Sequence, residues 1–487
     1  MRKVYDFVKN NRLLITGEKF AIMSILMLLA LKWAIFCEIL LVVAIVFALT
    51  EFDFDGFYIP FFLVSFRFIF RHSLGGGIPY VEIVFCVYAI YAVIKYFIIK
   101  KEKFKVNWWV VGFSVAYLIY VFISLKLTGF SLRHLAKHAL MMVMINFLFI
   151  FKNKIDFKKL IISFVLGVLS AGIIEWITQY FFADKFTIMD MAAWDHQGNL
   201  RHRGLAGDPN YYAMDILIAV AGLYFLNVKN KVNKIFYYLS MCLLVILLYF
   251  TYSKSGIVGL LIFVVLSLVF TLTLNVKKWF KVVAILGVVA VSFLSIFVIF
   301  RKDPFATLIR FNETYYGEFI HHYDSETNTY YDKDGNIVDI NGDNENATID
   351  KITTGRWTLW KNHLNFSFSS AKNFFLGGGI GTHVEPMEAH NTYIQVFYET
   401  GFIGLCLLVG VFLSICFGME LGRNNFKPKN WINFLIFLMG MFLFANVNYL
   451  AVTSFIYHLT LMMCTWKDCE NEKENKIENN KLVEKEI

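Results

Sequence analysis

Polar and apolar positions alternate along this chain on the scale of a bilayer rather than of one helix face. Apolar runs recur from about residue 20 to about residue 466, separated by short polar stretches. Crossing a hydrocarbon core takes roughly 20 apolar helical residues, so each run of that size predicts a span. Residues 20–50 are too long for one ordinary span and break near Lys32, which predicts a hairpin of two. Further spans are expected near 57–71, 78–99, 106–125, 132–151, 160–182, 210–227, 235–251, 256–274 and 281–300, then at 391–419, 431–449 and 451–466. The expectation is an all-α polytopic membrane protein of about 12–14 transmembrane helices with one large loop. No small-residue cleavage site follows the first run, so it reads as a retained helix rather than a signal peptide.

Composition agrees: of 487 residues 58% are hydrophobic and 52 are Phe, more apolar surface than a soluble domain can solvate. The net charge of +9 raises nucleic acid as a partner, but the placement of the charges argues against it. The basic stretches KKEKFK (100–105), KNKIDFKK (152–159), NVKNKVNK (227–234), NVKKWFK (275–281) and GRNNFKPK (422–429) fall on every second connection. The positive-inside rule puts them together in the cytoplasm, with the N-terminus and the polar tail 467–487, which reads as disordered. Outside lie 126–131, 183–209, 251–255 and the long loop 301–389, between N-terminal spans (1–300) and C-terminal ones (390–466). Six of the seven cysteines sit in apolar runs, so neither a disulfide framework nor a metal cluster is indicated. No internal repeat is evident, which disfavours carriers built from inverted halves.

The long loop alternates in character around Asp334–Gly335, a hairpin signal. Asp332, Asp334 and Asn336 have part of a calcium-loop spacing, but the Gly and distal Glu of an EF-hand are misplaced, and an ordinary hairpin is the better reading. Further on, Trp357, Trp360 and Leu364 follow helical spacing, predicting an amphipathic interfacial helix that starts at Arg356.

Four outside-facing groups carry candidate chemistry. His390 precedes a polar stripe of Asn391, Gln395 and Glu399 at i, i+4 and i+8, which must face protein or a water-filled cavity. Arg201, His202 and Arg203 precede Asp208–Pro209, an N-cap followed by Pro at the first helical position, with Asn210 next. Guanidinium groups at a helix start suit a phosphate or pyrophosphate; contact with lipid headgroups fits equally well. Lys254 is a lone cation in the short turn TYSKS. Arg133 and Lys137, with His134 and His138, open another span, where substrate or headgroup contact is a better reading than zinc. Glu175 and Gln179 share a face near the outer end of their span.

The inventory is one base among several permanent cations, with no acidic metal motif, serine elbow or P-loop. It suits transfer from an anionic, pyrophosphate-type leaving group held by Arg and Lys, with His390 deprotonating an attacking hydroxyl and no cofactor required.

The motifs RGLAGDPN (203–210), SKSG (253–256) and HNTYIQVFYETGFIG (390–404), with Arg356 and the glycine turn upstream, resemble the O-antigen polymerase and ligase superfamily. The layout, a long outside loop just before the HN helix, is similar too. The resemblance implies a GT-C-like fold and metal-independent inverting transfer of glycans from undecaprenyl pyrophosphate on the outer side of the bacterial cytoplasmic membrane. It also implies that His390 is the essential histidine and that Arg203 and Arg356 lie near the pyrophosphate, as catalytic residues. Lys254, Arg201, Asn210, Asn391, Glu399, Arg133 and Lys137 are the further substrate-binding candidates. Where the turn motif usually has Arg, this chain has Lys254, which keeps the charge but loses the bidentate fork.

Lys-, Asn-, Ile- and Phe-rich composition points to an AT-rich, Firmicute-type genome, without a lipid A core to ligate. That favours a polymerase of capsule, O-antigen or exopolysaccharide repeat units over a ligase. Its partners are then lipid-linked oligosaccharide, membrane lipids, a chain-length regulator and a flippase. The alternative from another class is a lipid-linked oligosaccharide flippase, which would need charges through mid-bilayer and two matching halves. A sensor or scaffold is a third.

Overall fold

A computed structural model describes residues 12–417 except 34, 52–53, 67–79, 105, 129–131, 152–153, 182–192, 195–199, 227–230, 275–278, 300–321, 325–328, 332–336, 339–355 and 385–388. The expected spans 431–449 and 451–466, the tail, and the calcium-like spacing around Asp334 lie outside the described residues.

Each remaining apolar run is helical. The run at 20–50 is α1 (Arg12–Ala30) and α2 (Ile35–Thr50), parted at Leu31–Trp33 as the break near Lys32 required. Then come α4 (Tyr80–Val93), continued as a π-helix over Ile94–Ile99, α5 (Trp108–Thr128), α6 (Leu132–Phe151) and α7 (Phe157–Phe181). These are followed by α8 (Pro209–Phe225), α9 (Lys231–Phe250), α10 (Lys254–Leu274) and α11 (Trp279–Val298). After the long loop stand α12 (Arg356–Phe368), α13 (Ala371–Leu376) and α14 (Thr392–Phe417). Among the described residues, five helical segments are long and apolar enough to cross a membrane: Val81–Ile99, Trp108–Leu127, His134–Phe151, Lys158–Gln179 and Thr392–Ser414. The chain is an all-α polytopic membrane protein.

The run at 57–71 departs from expectation. It is a string of 3-10 turn (Asp55–Tyr58), α3 (Ile59–Leu63) and 3-10 turn (Val64–Phe66), buried throughout Gly56–Phe66. Its seat is tight: Phe62 stacks on Phe20 with ring centroids 4.4 Å apart, and a Cβ on Gly167 of α7 would overlap the Phe62 carbonyl. Close packing against neighbours, not lipid, shapes this segment.

Within the long loop, β3 (His322–Asp324), β4 (Thr329–Tyr331) and β5 (Ile337–Val338) pair antiparallel. Tyr330 faces Val338 and Tyr331 faces Ile337 in the β4–β5 pair. A second small pair joins β1 (Ala193–Trp194) to β2 (Leu200–Arg201). Helix α12 starts at Arg356. Its buried positions are His363 and Ser367, with the His363 and Phe366 rings each 4.9 Å from Tyr398 of α14, while Trp357 stays exposed.

At one end of the bundle the basic loops 100–105 and 152–159 come together: Lys154 pairs with Glu102 (2.7 Å), Lys159 with Asp55 (2.8 Å), and the Asp156 N–H donates to Tyr58 (2.6 Å).

Helix α14 is broken where it matters. Gly401 has φ +66° inside it, freeing carbonyls that a continuous helix would use. The Gly378 and Gly379 N–H groups donate to the carbonyls of Tyr398 (2.6 Å) and Glu399 (3.0 Å), and the Tyr120 hydroxyl lies 2.7 Å from the Thr400 carbonyl. Gly377 (φ +78°) and Gly401 cross backbone to backbone, so a Cβ on either would overlap the other strand. Gly401→Ala should therefore lower stability by about 2 kcal/mol or more. Gly112→Ala, where nothing lies within 4 Å, is the control and should change little. Thermal unfolding in detergent checks both; equal midpoints would refute the clamp.

Candidate functional site

Building the site starts with the residue before the histidine. Both backbone groups of Ala389 are held: its N–H donates to Gln395 Oε1 (2.9 Å), and its carbonyl accepts from Trp360 Nε1 (2.8 Å). On the other side Asn391 Oδ1 accepts from the N–H groups of Tyr393 (3.0 Å) and Ile394 (3.2 Å), capping α14. Between these anchors His390 adopts φ +48°, a left-handed conformation that costs a non-glycine residue roughly 1–3 kcal/mol. The surroundings enforce it. Strain held this way aims a side chain rather than merely connecting two helices.

The polar stripe below faces protein. Gln395 donates to the Thr382 carbonyl (3.0 Å) and to Glu399 (2.8 Å), and both Gln395 and Glu399 are fully buried. Gln395 thus ties the glycine turn, residue 389 and Glu399 into one unit.

The second part is the turn at 201–208. His202 N–H donates to the Phe250 carbonyl (2.9 Å) and Arg201 Nε to the Thr251 carbonyl (3.1 Å), docking it on the α9–α10 connection. Glu175 accepts the Arg203 N–H at Oε1 (3.0 Å) and the Gly204 N–H at Oε2 (2.7 Å). The Asp208–Pro209 signal works as read: Asp208 accepts from Asn210 and Tyr211 at the start of α8. Ser253 caps α10 through the Gly256 N–H (3.2 Å) and donates to Asn210 Oδ1 (2.8 Å), binding two helix starts together.

Helix N-termini then converge. Lys254 is the first residue of α10 and Arg356 the first of α12. Asp208 and Tyr211, at the start of α8, act on the charge of Arg356, and Arg356 and Asp208 both act on His390. The starts of α8, α12 and α14 therefore meet at one corner around Arg356, and the Ser253–Asn210 bond ties the start of α10 to it. Each helix start carries about half a positive charge, so the corner favours an anion. Burial first, then the Arg356 cation, pulls the His390 pKa below its ordinary value, while Asp208 opposes them. The imidazole is held neutral, able to accept a proton.

On α6, the His134 ring lies where a Cβ on Gly381 would go, and buried His138 meets the Tyr117 hydroxyl at 3.0 Å. Lys137 is half-buried nearby; the Arg133 side chain lies outside the described residues. Among the described residues no three His, Cys, Asp or Glu side chains are grouped as metal ligands. Glu175, Trp360 and Gln395 matter more than their sequence context indicated. The i, i+4 pairing of Glu175 with Gln179 was the signal for the first, whereas nothing local marked the target of Trp360.

Residues 239–409 match the family model described as O-antigen ligase. The match covers less than half of the chain, and makes this part of it similar to O-antigen ligases. The matched stretch takes in Lys254, Arg356, His390 and Glu399; Glu175, Arg203 and Asn210 precede it. It supports a function of the ligase or polymerase type. No curated protein matches the chain.

Gln395→Leu removes three hydrogen bonds and leaves buried partners unpaired, and should cost about 2–4 kcal/mol. Trp360→Phe removes only one and should cost about 1 kcal/mol. Denaturation midpoints in detergent check the order; a Gln395 variant as stable as wild type would refute the bracket around His390.

Proposed function

We propose that the protein is a polysaccharide polymerase that joins undecaprenyl-pyrophosphate-linked repeat units on the outer side of the bacterial cytoplasmic membrane. The observation that carries this reading is the shared corner: helix starts that meet around Arg356 beside a strained histidine whose pKa is lowered, with Arg203 and Lys254 in the segments that lead into it. Such a corner suits a pyrophosphate, and a histidine beside it suits an acceptor hydroxyl.

In the proposed step the acceptor oxygen attacks the anomeric carbon of the donor sugar while His390 takes the hydroxyl proton. The bond from that carbon to the pyrophosphate oxygen breaks, and the lipid pyrophosphate leaves with the electron pair. Arg203, Arg356, Lys254 and the helix starts balance its growing charge, and attack from the opposite face inverts the anomeric centre. The same chemistry would serve a ligase, which differs only in its acceptor. The meeting of the basic loops 100–105 and 152–159 at the end of α7 away from Glu175 supports an outward-facing site by the positive-inside rule. A flippase reading gains nothing from this arrangement, because the charges crowd one end.

His390→Ala should leave single lipid-linked repeats and no long polymer in cells; normal chain length would sink the mechanism. A pH profile gives a second check. His390 works when neutral, so the rate should fall as pH drops through its lowered pKa, below the ordinary 6.5. Arg356→Gln removes a cause of the lowering and should move that acid limb to higher pH; Asp208→Asn should move it lower. An unmoved limb in both variants would exclude His390 as the titrating base.

A further inference from the structure

Glu175 is a carboxylate with none of its surface exposed, on a helix read as membrane-spanning. Such a group is costly there and marks either function or a built support for it. Its bonding identifies the support. Oε1 accepts the Arg203 N–H (3.0 Å) and one N–H of Gln179 (3.1 Å), and Oε2 accepts the Gly204 N–H (2.7 Å) and lies 3.5 Å from His202 Nδ1. The carboxylate thus grips the main chain of the turn. Gly204 answers it with φ +56°, in a space where a Cβ would overlap the Tyr212 ring.

Two adjacent N–H donors converging on one side chain need two acceptor atoms. Only a carboxylate offers both; an amide would set its NH2 against one of them. The same turn is docked on the Phe250 and Thr251 carbonyls, immediately before the Ser253 cap and Lys254. The Glu175 grip therefore sets where the Arg203 guanidinium starts relative to Lys254 and to Asn210, which Ser253 binds.

We propose that Glu175 is a positioning residue that fixes the Arg203–Gly204 turn and so aims the Arg203 guanidinium at the pyrophosphate of a lipid-linked substrate. This rests on the pyrophosphate reading given above, and deepens it. The distinguishing test is a double-mutant cycle on binding. Full-length protein in phosphatidylcholine nanodiscs is titrated with undecaprenyl pyrophosphate, for wild type, Glu175→Gln, Glu175→Asp, Arg203→Ala and the Gln/Ala double variant. Glu175→Gln should weaken binding about tenfold, the scale of one lost charge-assisted contact. Glu175→Asp, which keeps both oxygens, should recover part of the loss. In the Arg203→Ala background the Gln substitution should add less than about twofold, because its effect runs through the arginine. Fully additive losses would overturn the proposal, as would wild-type affinity in Glu175→Gln. Wild-type affinity in Arg203→Ala would instead remove the pyrophosphate reading, and the positioning role with it. Should Glu175→Gln fail to fold, Glu175→Asp with Arg203→Ala closes the same cycle.

Discussion

Everything near the candidate site depends on one constraint: a helix interrupted in an apolar setting must find other donors for the carbonyls it releases. Each unsatisfied group there costs several kcal/mol, so an interruption survives only with a dedicated partner. Here the partner is the glycine turn, whose N–H groups reach Tyr398 and Glu399, aided by Tyr120 at Thr400. Because the turn is pinned to α14, Thr382 comes within reach of Gln395, and Gln395 in turn holds Ala389. The histidine's strained backbone is the end of that chain of requirements. A backbone need deep in the helix thus becomes a side-chain orientation at its tip.

The other half of the corner is built by a different device, capping. Asp208, Ser253 and Asn391 each satisfy the first N–H groups of a helix, and Ser253 reaches on to Asn210. Caps stabilise helix starts locally; linked to one another, they also set helix starts at fixed separations. The positive ends of the helices are thereby brought together beside Arg356, an arrangement that no single segment could present.

Much of this was legible before any coordinates. The break near Lys32, the Asp208–Pro209 start and the inward-facing stripe from Asn391 rest on local rules of period and capping, and short-range chemistry dictates them. The pairing of β4 with β5 follows the same logic. What escaped is what depends on distant partners. Glu175 grips a turn 28 residues on, and Tyr120 reaches a carbonyl 280 residues on. Nothing near either residue reveals such a target. The target of Trp360 escaped for the same reason: its N–H is committed to Ala389, 29 residues on.

The crossing of Gly377 with Gly401 also imposes an order on biogenesis. The turn docked on Thr251 and the two capped helix starts are synthesised long before the residues that complete the corner. Until α14 has entered the bilayer and closed on the glycine turn, His390 has no anchors on either side. The corner is therefore incomplete through most of the chain's synthesis and is closed only by segments made late.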